Sequence, residues 1–273
     1  MPTTFLAALR ETWPRQHGAW TILAASSILG LAAAGTFTAP CALLAASVLS
    51  GFLARQAVQS WLGCSGHDPR RRPIVAVALT YLALCAVTGL WLAFAHELWI
   101  LLPIGVGAAL AAALCLALSL EGRRVSLGVD LVGLLGLSLI APAFEYVATG
   151  TFSERSLALW ILCALFFSGR PFQVRFFTRH RTGHSSLRQR VAAGWPTLAY
   201  QLASLTAATW LAAASPAVNP PLVVLAFLPV LALAVLSVAK GPSTPLSIWK
   251  IGYLEGSQAV LFVLFASLAF RLA

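Results

Sequence analysis

Long runs of apolar residues, separated by short polar stretches, fill almost the whole chain. A helix that crosses a bilayer needs about 20 predominantly apolar residues. The runs predict nine such helices, over residues 17–37, 40–62, 74–95, 98–118, 126–148, 156–174, 191–214, 220–239 and 250–271. Proline marks several of the breaks between them, as at Pro40, Pro73 and Pro216. We therefore predict an all-α, polytopic membrane bundle in which residues 1–273 form a single transmembrane domain.

The composition supports the bilayer as the solvent of this chain. Hydrophobic residues make up 59% of the sequence and charged residues only 10%, against roughly 25% charged residues in soluble domains. The mean hydropathy is +0.86. We therefore expect a multi-pass protein of a cell membrane, with membrane lipids as its surroundings and partners.

Basic residues are concentrated in the gaps between the apolar runs. The formal net charge is +10, but this distribution is the positive-inside pattern of a polytopic protein and does not indicate a nucleic-acid partner. If the N-terminus is cytoplasmic, the outer side carries only Arg155 and Arg271, Arg55 lies within a span, and the other fifteen Lys and Arg residues lie on the inner side. This asymmetry predicts a cytoplasmic N-terminus, an outer C-terminus and an odd number of spans.

Several polar side chains fall near the predicted inner ends of the spans. They are His17, Arg55, Gln59, Asp130, Arg170, Arg175 and Glu255. Ionisable groups inside a membrane are costly and are candidates for function. If the helices form one bundle, these groups converge on one cytoplasm-facing cavity, where arginine forks could hold a phosphate or carboxylate. We assign His17, Gln59 and the three arginines as ligand-binding candidates, and Asp130 and Glu255 as candidates for ion pairs.

A purely structural reading of the same residues stays open. Arg55 could form an interhelical ion pair with Asp130 or Glu255 that only stabilises the bundle. The arginines at the ends of the helices would then reach the lipid head groups. Glu145 is separate, because it lies near the predicted outer end of its span, where a carboxylate is expected to face a loop.

Neither a metal site nor a cofactor is predicted. The five cysteines show no C-x-x-C spacing, so neither a zinc site nor a disulfide framework is indicated. His180 and His184 have a spacing that could bind a metal on a helix. The arginines around them oppose a cation.

The segment Arg15-Gln16-His17-Gly18-Ala19-Trp20 resembles the opening motif of the YwiC-like family of bacterial membrane proteins. Softer likenesses to that family follow over residues 123–143, 167–175 and 249–255. The resemblance implies a protein of the bacterial inner membrane and implies no particular reaction.

The predicted architecture also resembles, more distantly, the UbiA-type prenyltransferases. That resemblance rests on nine helices, a cytoplasmic N-terminus and basic inner loops after spans two, four and six. It implies acidic motifs at the inner ends of helices two and six, which hold magnesium and a prenyl diphosphate. Residues 55–63 and 167–175 occupy those positions and contain no Asp or Glu, so neither the magnesium site nor the reaction is carried over.

Three functions follow as hypotheses. The first is a bundle that binds or moves an anionic or isoprenoid-like lipid in an inward-facing cavity. The second is a divergent prenyltransferase in which Asp130 or Glu255 is the important acid. The third is an accessory membrane protein that docks a partner through basic inner loops such as residues 176–190. The sequence leaves open whether the chain is an enzyme, assigns no catalytic residue and does not define the oligomeric state.

Overall fold

A computed structural model describes residues 5–14, 17–65, 67–120, 126–179, 186–240 and 248–273. All regular secondary structure in these ranges is helical. The helices are α1 (Phe5–Glu11), α2 (His17–Ala34), α3 (Ala39–Leu62), α4 (Arg71–Ala95), α5 (Leu101–Leu120), α6 (Leu127–Ser138), α7 (Ile140–Thr149), α8 (Glu154–Ser168), α9 (Arg170–Arg179), α10 (Leu187–Ala214), α11 (Pro220–Lys240) and α12 (Ile248–Arg271).

Seven helical segments of the described chain are long and apolar enough to cross a membrane. They are Ala39–Leu62, Arg71–Ala95, Leu101–Ser119, Leu127–Thr149, Glu154–Thr178, Pro220–Ala239 and Trp249–Arg271. The shorter apolar helix Gly18–Ala34 and the long helix α10 occupy the positions of the other two predicted spans. The predicted all-α membrane fold is therefore confirmed.

Two of these segments are broken helices, which the hydropathy pattern treats as continuous. Pro171 has no N–H to donate to the carbonyl of Phe167, and the N–H of Gly169 bonds to that carbonyl instead. The other break lies at Leu139, three residues before Pro142, where the Leu139 N–H bonds back into the last turn of α6. Each break creates a new helix start inside the bundle.

The main core is built around α8. Phe166 stacks on Phe262 of α12 with 3.9 Å between ring centroids, and Phe227 of α11 meets both rings edge-on. Helix α2 packs on α7 at Gly30, where a Cβ atom would lie 2.3 Å from the carbonyl oxygen of Ala141. Only glycine allows this approach, so the two helices touch through backbone.

The bundle has two chemically different ends. At the basic end, which carries α1, residues 70–72 and the end of α9, Arg70 of the α3–α4 connection pairs with Glu11 of α1 at 2.6 Å. At the far end, which carries Arg155 and Arg271, the Arg271 Nε donates to the carbonyl of Ala32 at 2.9 Å.

Candidate functional site

The break between α8 and α9 places a buried cation inside the bundle. Arg170 is the first residue of α9 and is 6% exposed. Its Nη1 donates a hydrogen bond to Oε1 of Gln258 on α12, and its guanidinium lies over the ring of Phe166. The Nη2 atom is buried and has no hydrogen-bond partner. A buried arginine therefore keeps one donor atom unused.

Further buried amides and a carboxylate lie close to the α8–α9 break. Gln173, one turn further along α9, is 1% exposed, and both of its amide atoms lack partners. Gln201 of α10 is 2% exposed with an unpartnered Nε2. Glu255 of α12 is close enough to act on Arg170 electrostatically, and its Oε1 is buried without a partner. We call Arg170, Gln173, Gln201, Glu255 and Gln258 the Arg170 site.

Gly169 is the residue that lets the amide of Gln201 reach the break. A Cβ atom at this position would lie 2.5 Å from the Nε2 of Gln201 and 3.2 Å from the ring of Tyr200. A larger residue would push α10 or its side chains away from the start of α9. The glycine thus joins α10 to the Arg170 site.

The arrangement can stabilise negative charge or accept a polar head group. Buried polar atoms in proteins are nearly always hydrogen-bonded, whereas this site holds several unpartnered atoms. Three of them are nitrogen donors, on Arg170, Gln173 and Gln201.

A second polar cluster lies nearer the basic end. Arg175 of α9 pairs with Asp130 of α6 at 3.2 Å, and their side chains are 28% and 42% exposed. Arg55 of α3 and Asp130 of α6 both lie close enough to Cys115 of α5 to act on it electrostatically. This cluster therefore draws on four helices and stays partly accessible.

The comparison with known protein families concerns the N-terminal half of the chain. The family model described as YwiC-like protein matches residues 13–145 of the chain. This range is just under half of the 273 residues, and the match confirms the resemblance predicted from the opening motif. Neither the curated proteins nor the solved structures give a match. The distant likeness to UbiA-type prenyltransferases stays a prediction.

Residues 13–145, the region that matches the YwiC-like model, contain His17 and three more of the side chains singled out from the sequence. Arg55 and Asp130 belong to the second polar cluster. Gln59, one turn after Arg55 on α3, has a buried Oε1 without a hydrogen-bond partner. His17 begins α2, but its side chain lies outside the described residues, as do His180 and His184.

The six polar candidates whose side chains the structure describes do not meet at one point. Arg170 and Arg175 are five positions apart on α9, a rotation of about 140° on a helix of 3.6 residues per turn. Arg170 accordingly faces Glu255 and Gln258 of α12, while Arg175 faces Asp130 of α6. Each predicted acid therefore has an arginine neighbour, and the acids lie in separate clusters.

Three residues of the Arg170 site, Gln173, Gln201 and Gln258, were not among the candidates assigned from the sequence. All three are neutral amides: Gln173 lies next to the end of predicted span six, and Gln201 and Gln258 lie in the interior of spans seven and nine. Their signal is that an amide inside an apolar run needs a partner across helices.

Glu145 departs from its sequence-based prediction. The side chain was expected to face a loop, but it is 2% exposed. The hydroxyl of Ser156 on α8 donates to its Oε2, and the backbone N–H of Ser153 donates to that hydroxyl at 3.1 Å. The carboxylate therefore joins the end of α7 to the start of α8, because the turn between the two helices folds it inward.

Proposed function

We propose that this membrane protein binds the anionic head group of an amphiphile at the Arg170 site. The observation that carries the proposal is the buried Nη2 of Arg170, which has no hydrogen-bond partner. Leaving such a donor unsatisfied costs about 1–3 kcal/mol, and more when the group is charged. A ligand oxygen at this position removes that cost.

The charge balance of the site favours a head group with a single negative charge. The guanidinium of Arg170 contributes the one full positive charge among the side chains of the Arg170 site. Glu255 offsets much of this, because it acts on Arg170 from α12. A carboxylate or a phosphodiester fits this balance, whereas a diphosphate needs further positive charge. The amides of Gln173 and Gln201 would complete the hydrogen bonds.

The depth of the site is consistent with a role in moving the bound molecule. Helix α9 has ten residues, so its start lies about 15 Å from its end at the basic end, or roughly half the thickness of the hydrocarbon layer. Transported anions are commonly held near the midplane by the starts of broken helices. We propose that the basic end faces the cytoplasm, as the distribution of Lys and Arg favours.

A charge-removal experiment tests the proposed binding. The probe is dodecanoate, added to the full chain in a neutral detergent, with bound molecules counted by native mass spectrometry. Arg170→Gln keeps a hydrogen-bonding side chain but removes the charge, and we expect the affinity for dodecanoate to fall at least about tenfold. Arg170→Lys is expected to retain part of the affinity.

The matched control is Arg72→Gln, which removes the same charge from an exposed position at the basic end. We expect it to bind dodecanoate like the wild type. If Arg170→Gln also binds like the wild type while remaining folded, the Arg170 site is not the head-group site and the proposal is wrong.

A further inference from the structure

A lateral crevice leads from the surface of the bundle to the α8–α9 break. It lies between α6, α8 and α10, and its volume is about 170 Å³. Its lining is Leu135, Trp160, Ile161, Ala164, Leu165, Ser168 and Tyr200. The indole Nε1 of Trp160 donates to the carbonyl of Leu135 at 3.4 Å, which ties the α8 wall to the α6 wall.

The two ends of the crevice differ in chemistry. The end toward Trp160 is apolar, and its wall residue Leu135 is 43% exposed on the surface of the bundle. The other end carries the hydroxyls of Ser168 and Tyr200, which lie beside each other. The Tyr200 hydroxyl also donates to the carbonyl of Leu165 at 3.0 Å.

The polar end of the crevice adjoins the Arg170 site. Ser168 is followed directly by Gly169 and Arg170, and the Tyr200 ring and the Gln201 amide both pack against Gly169. The polar end of the crevice therefore lies beside Gly169, against which the unpartnered amide of Gln201 in the Arg170 site packs. A hydrocarbon chain with an anionic head has the matching order of apolar and polar parts.

We propose that the crevice between α6, α8 and α10 holds the hydrocarbon chain of the amphiphile whose head group binds at the Arg170 site. This inference rests on the proposed function and adds that the ligand enters sideways from the bilayer. From Trp160 to Ser168 the crevice is about 12 Å long at 1.5 Å per helical residue. The head-proximal part of one alkyl or isoprenyl chain fits this space.

The experiment compares two carboxylates that share a head group and differ in chain length. Dodecanoate binding is measured by native mass spectrometry on the full chain in neutral detergent, and butyrate is measured as its competitor. Ala164→Phe fills the crevice from α8. We expect it to weaken dodecanoate about tenfold, because the chain loses its contacts with the crevice walls, and to leave butyrate competition unchanged.

The matched control is Ala113→Phe, which adds the same ring at an exposed position of α5 and is expected to change neither probe. Leu135→Trp narrows the crevice from the α6 wall at a partly exposed position, so it decides the result if Ala164→Phe fails to fold. We expect Leu135→Trp to weaken dodecanoate as well.

The outcomes separate the inference from the function on which it rests. If both crevice variants bind dodecanoate like the wild type while Arg170→Gln weakens it, the chain lies elsewhere; the inference then fails and the proposed function stands. If Arg170→Gln leaves dodecanoate unchanged, the proposed function and the inference fail together. Equal loss of butyrate and dodecanoate in Ala164→Phe would also overturn the inference, because a filled crevice should affect only the long chain.

Discussion

The guanidinium of Arg170 lies over the ring of Phe166, with 4.5 Å between Cζ and the ring centroid. The same ring stacks on Phe262 of α12. A cation over an aromatic face gains about 2 kcal/mol when it is desolvated. The cation of the Arg170 site is thus held by the same ring that anchors α8 to α12, so the site and the core depend on each other.

Phe166→Leu is expected to weaken both the fold and the site. The variant loses the cation–π contact and the ring pair with Phe262, which together amount to about 2–3 kcal/mol of unfolding free energy. Dodecanoate affinity should fall in the same variant. Unfolding by sodium dodecyl sulfate in mixed micelles, followed by tryptophan fluorescence, measures the stability.

The control for this prediction is Phe94→Leu, which removes a ring that is 58% exposed and meets Trp99 edge-on. We expect a smaller loss of stability, since the exposed ring buries less surface, and no loss of dodecanoate binding. Equal destabilisation by the two variants would contradict the role given to Phe166.

Gln173→Met should stabilise the ligand-free protein while reducing binding. Both amide atoms of Gln173 are buried without partners, and replacing such a group by an apolar one of similar shape removes a penalty of about 1–3 kcal/mol. The midpoint of thermal unfolding should therefore rise. The affinity for dodecanoate should fall, because a hydrogen-bonding group of the Arg170 site is lost.

Stability and affinity are expected to move in opposite directions only if Gln173 is kept for a ligand. A lower unfolding midpoint in Gln173→Met, with unchanged dodecanoate affinity, would make the glutamine an ordinary structural residue. Gln56→Met serves as the control, since Gln56 is partly exposed on α3, and we expect it to change both quantities little.

Gly30→Ala is expected to disrupt the contact between α2 and α7. The added methyl group would lie 2.3 Å from the carbonyl oxygen of Ala141 and 2.8 Å from the Cβ of Phe144. Because backbone has to move, the loss of unfolding free energy should be about 1–3 kcal/mol or more. Gly105→Ala meets nothing within 4 Å and should be neutral or slightly stabilising in its helix.

The connection between α1 and the α3–α4 loop should depend on pH. Hydrogen bonds from the Arg70 side chain and backbone lower the pKa of Asp68, and Arg70 also pairs with Glu11 of α1. A carboxyl whose folded pKa is depressed contributes stability above its unfolded pKa of about 3.9, and that contribution is lost as the pH falls through the folded value. The contribution should therefore persist at pH 5 and disappear only at pH values below that of an ordinary aspartate.

Hydrogen exchange of residues 5–14 measures this attachment as a function of pH and salt. We expect exchange, corrected for its intrinsic rate, to rise at low pH and also at 1 M salt, since the pairs are exposed and are screened. Asp68→Asn should show the raised exchange already at pH 7. If residues 5–14 are equally protected from exchange in Asp68→Asn and in the wild type, apolar packing alone holds α1 against the bundle.

The glycines of this bundle differ in packing in a way that the sequence does not predict. The sequence contains many glycines that could bring helices together in lipid. In the structure Gly136 lies 2.8 Å, measured from an ideal Cβ, from the Cβ of Ala111, whereas Gly105 meets nothing. Both lie in apolar runs of similar composition. Their difference comes from the rotation of each helix about its axis, which composition does not encode.

The sequence by itself determined that this chain is a helical membrane protein. In lipid every backbone polar group must be satisfied within the segment, so long apolar runs have to be helices, and the positions of Pro and charge bound them. Tertiary structure alone decided that Arg170 turns to α12 and that Arg175 turns to Asp130 of α6. Residues far apart in the chain meet through helix rotation and neighbour choice. The rotation of each helix and its choice of neighbours depend on side chains from several helices at once. No single stretch of sequence therefore specifies the Arg170 site.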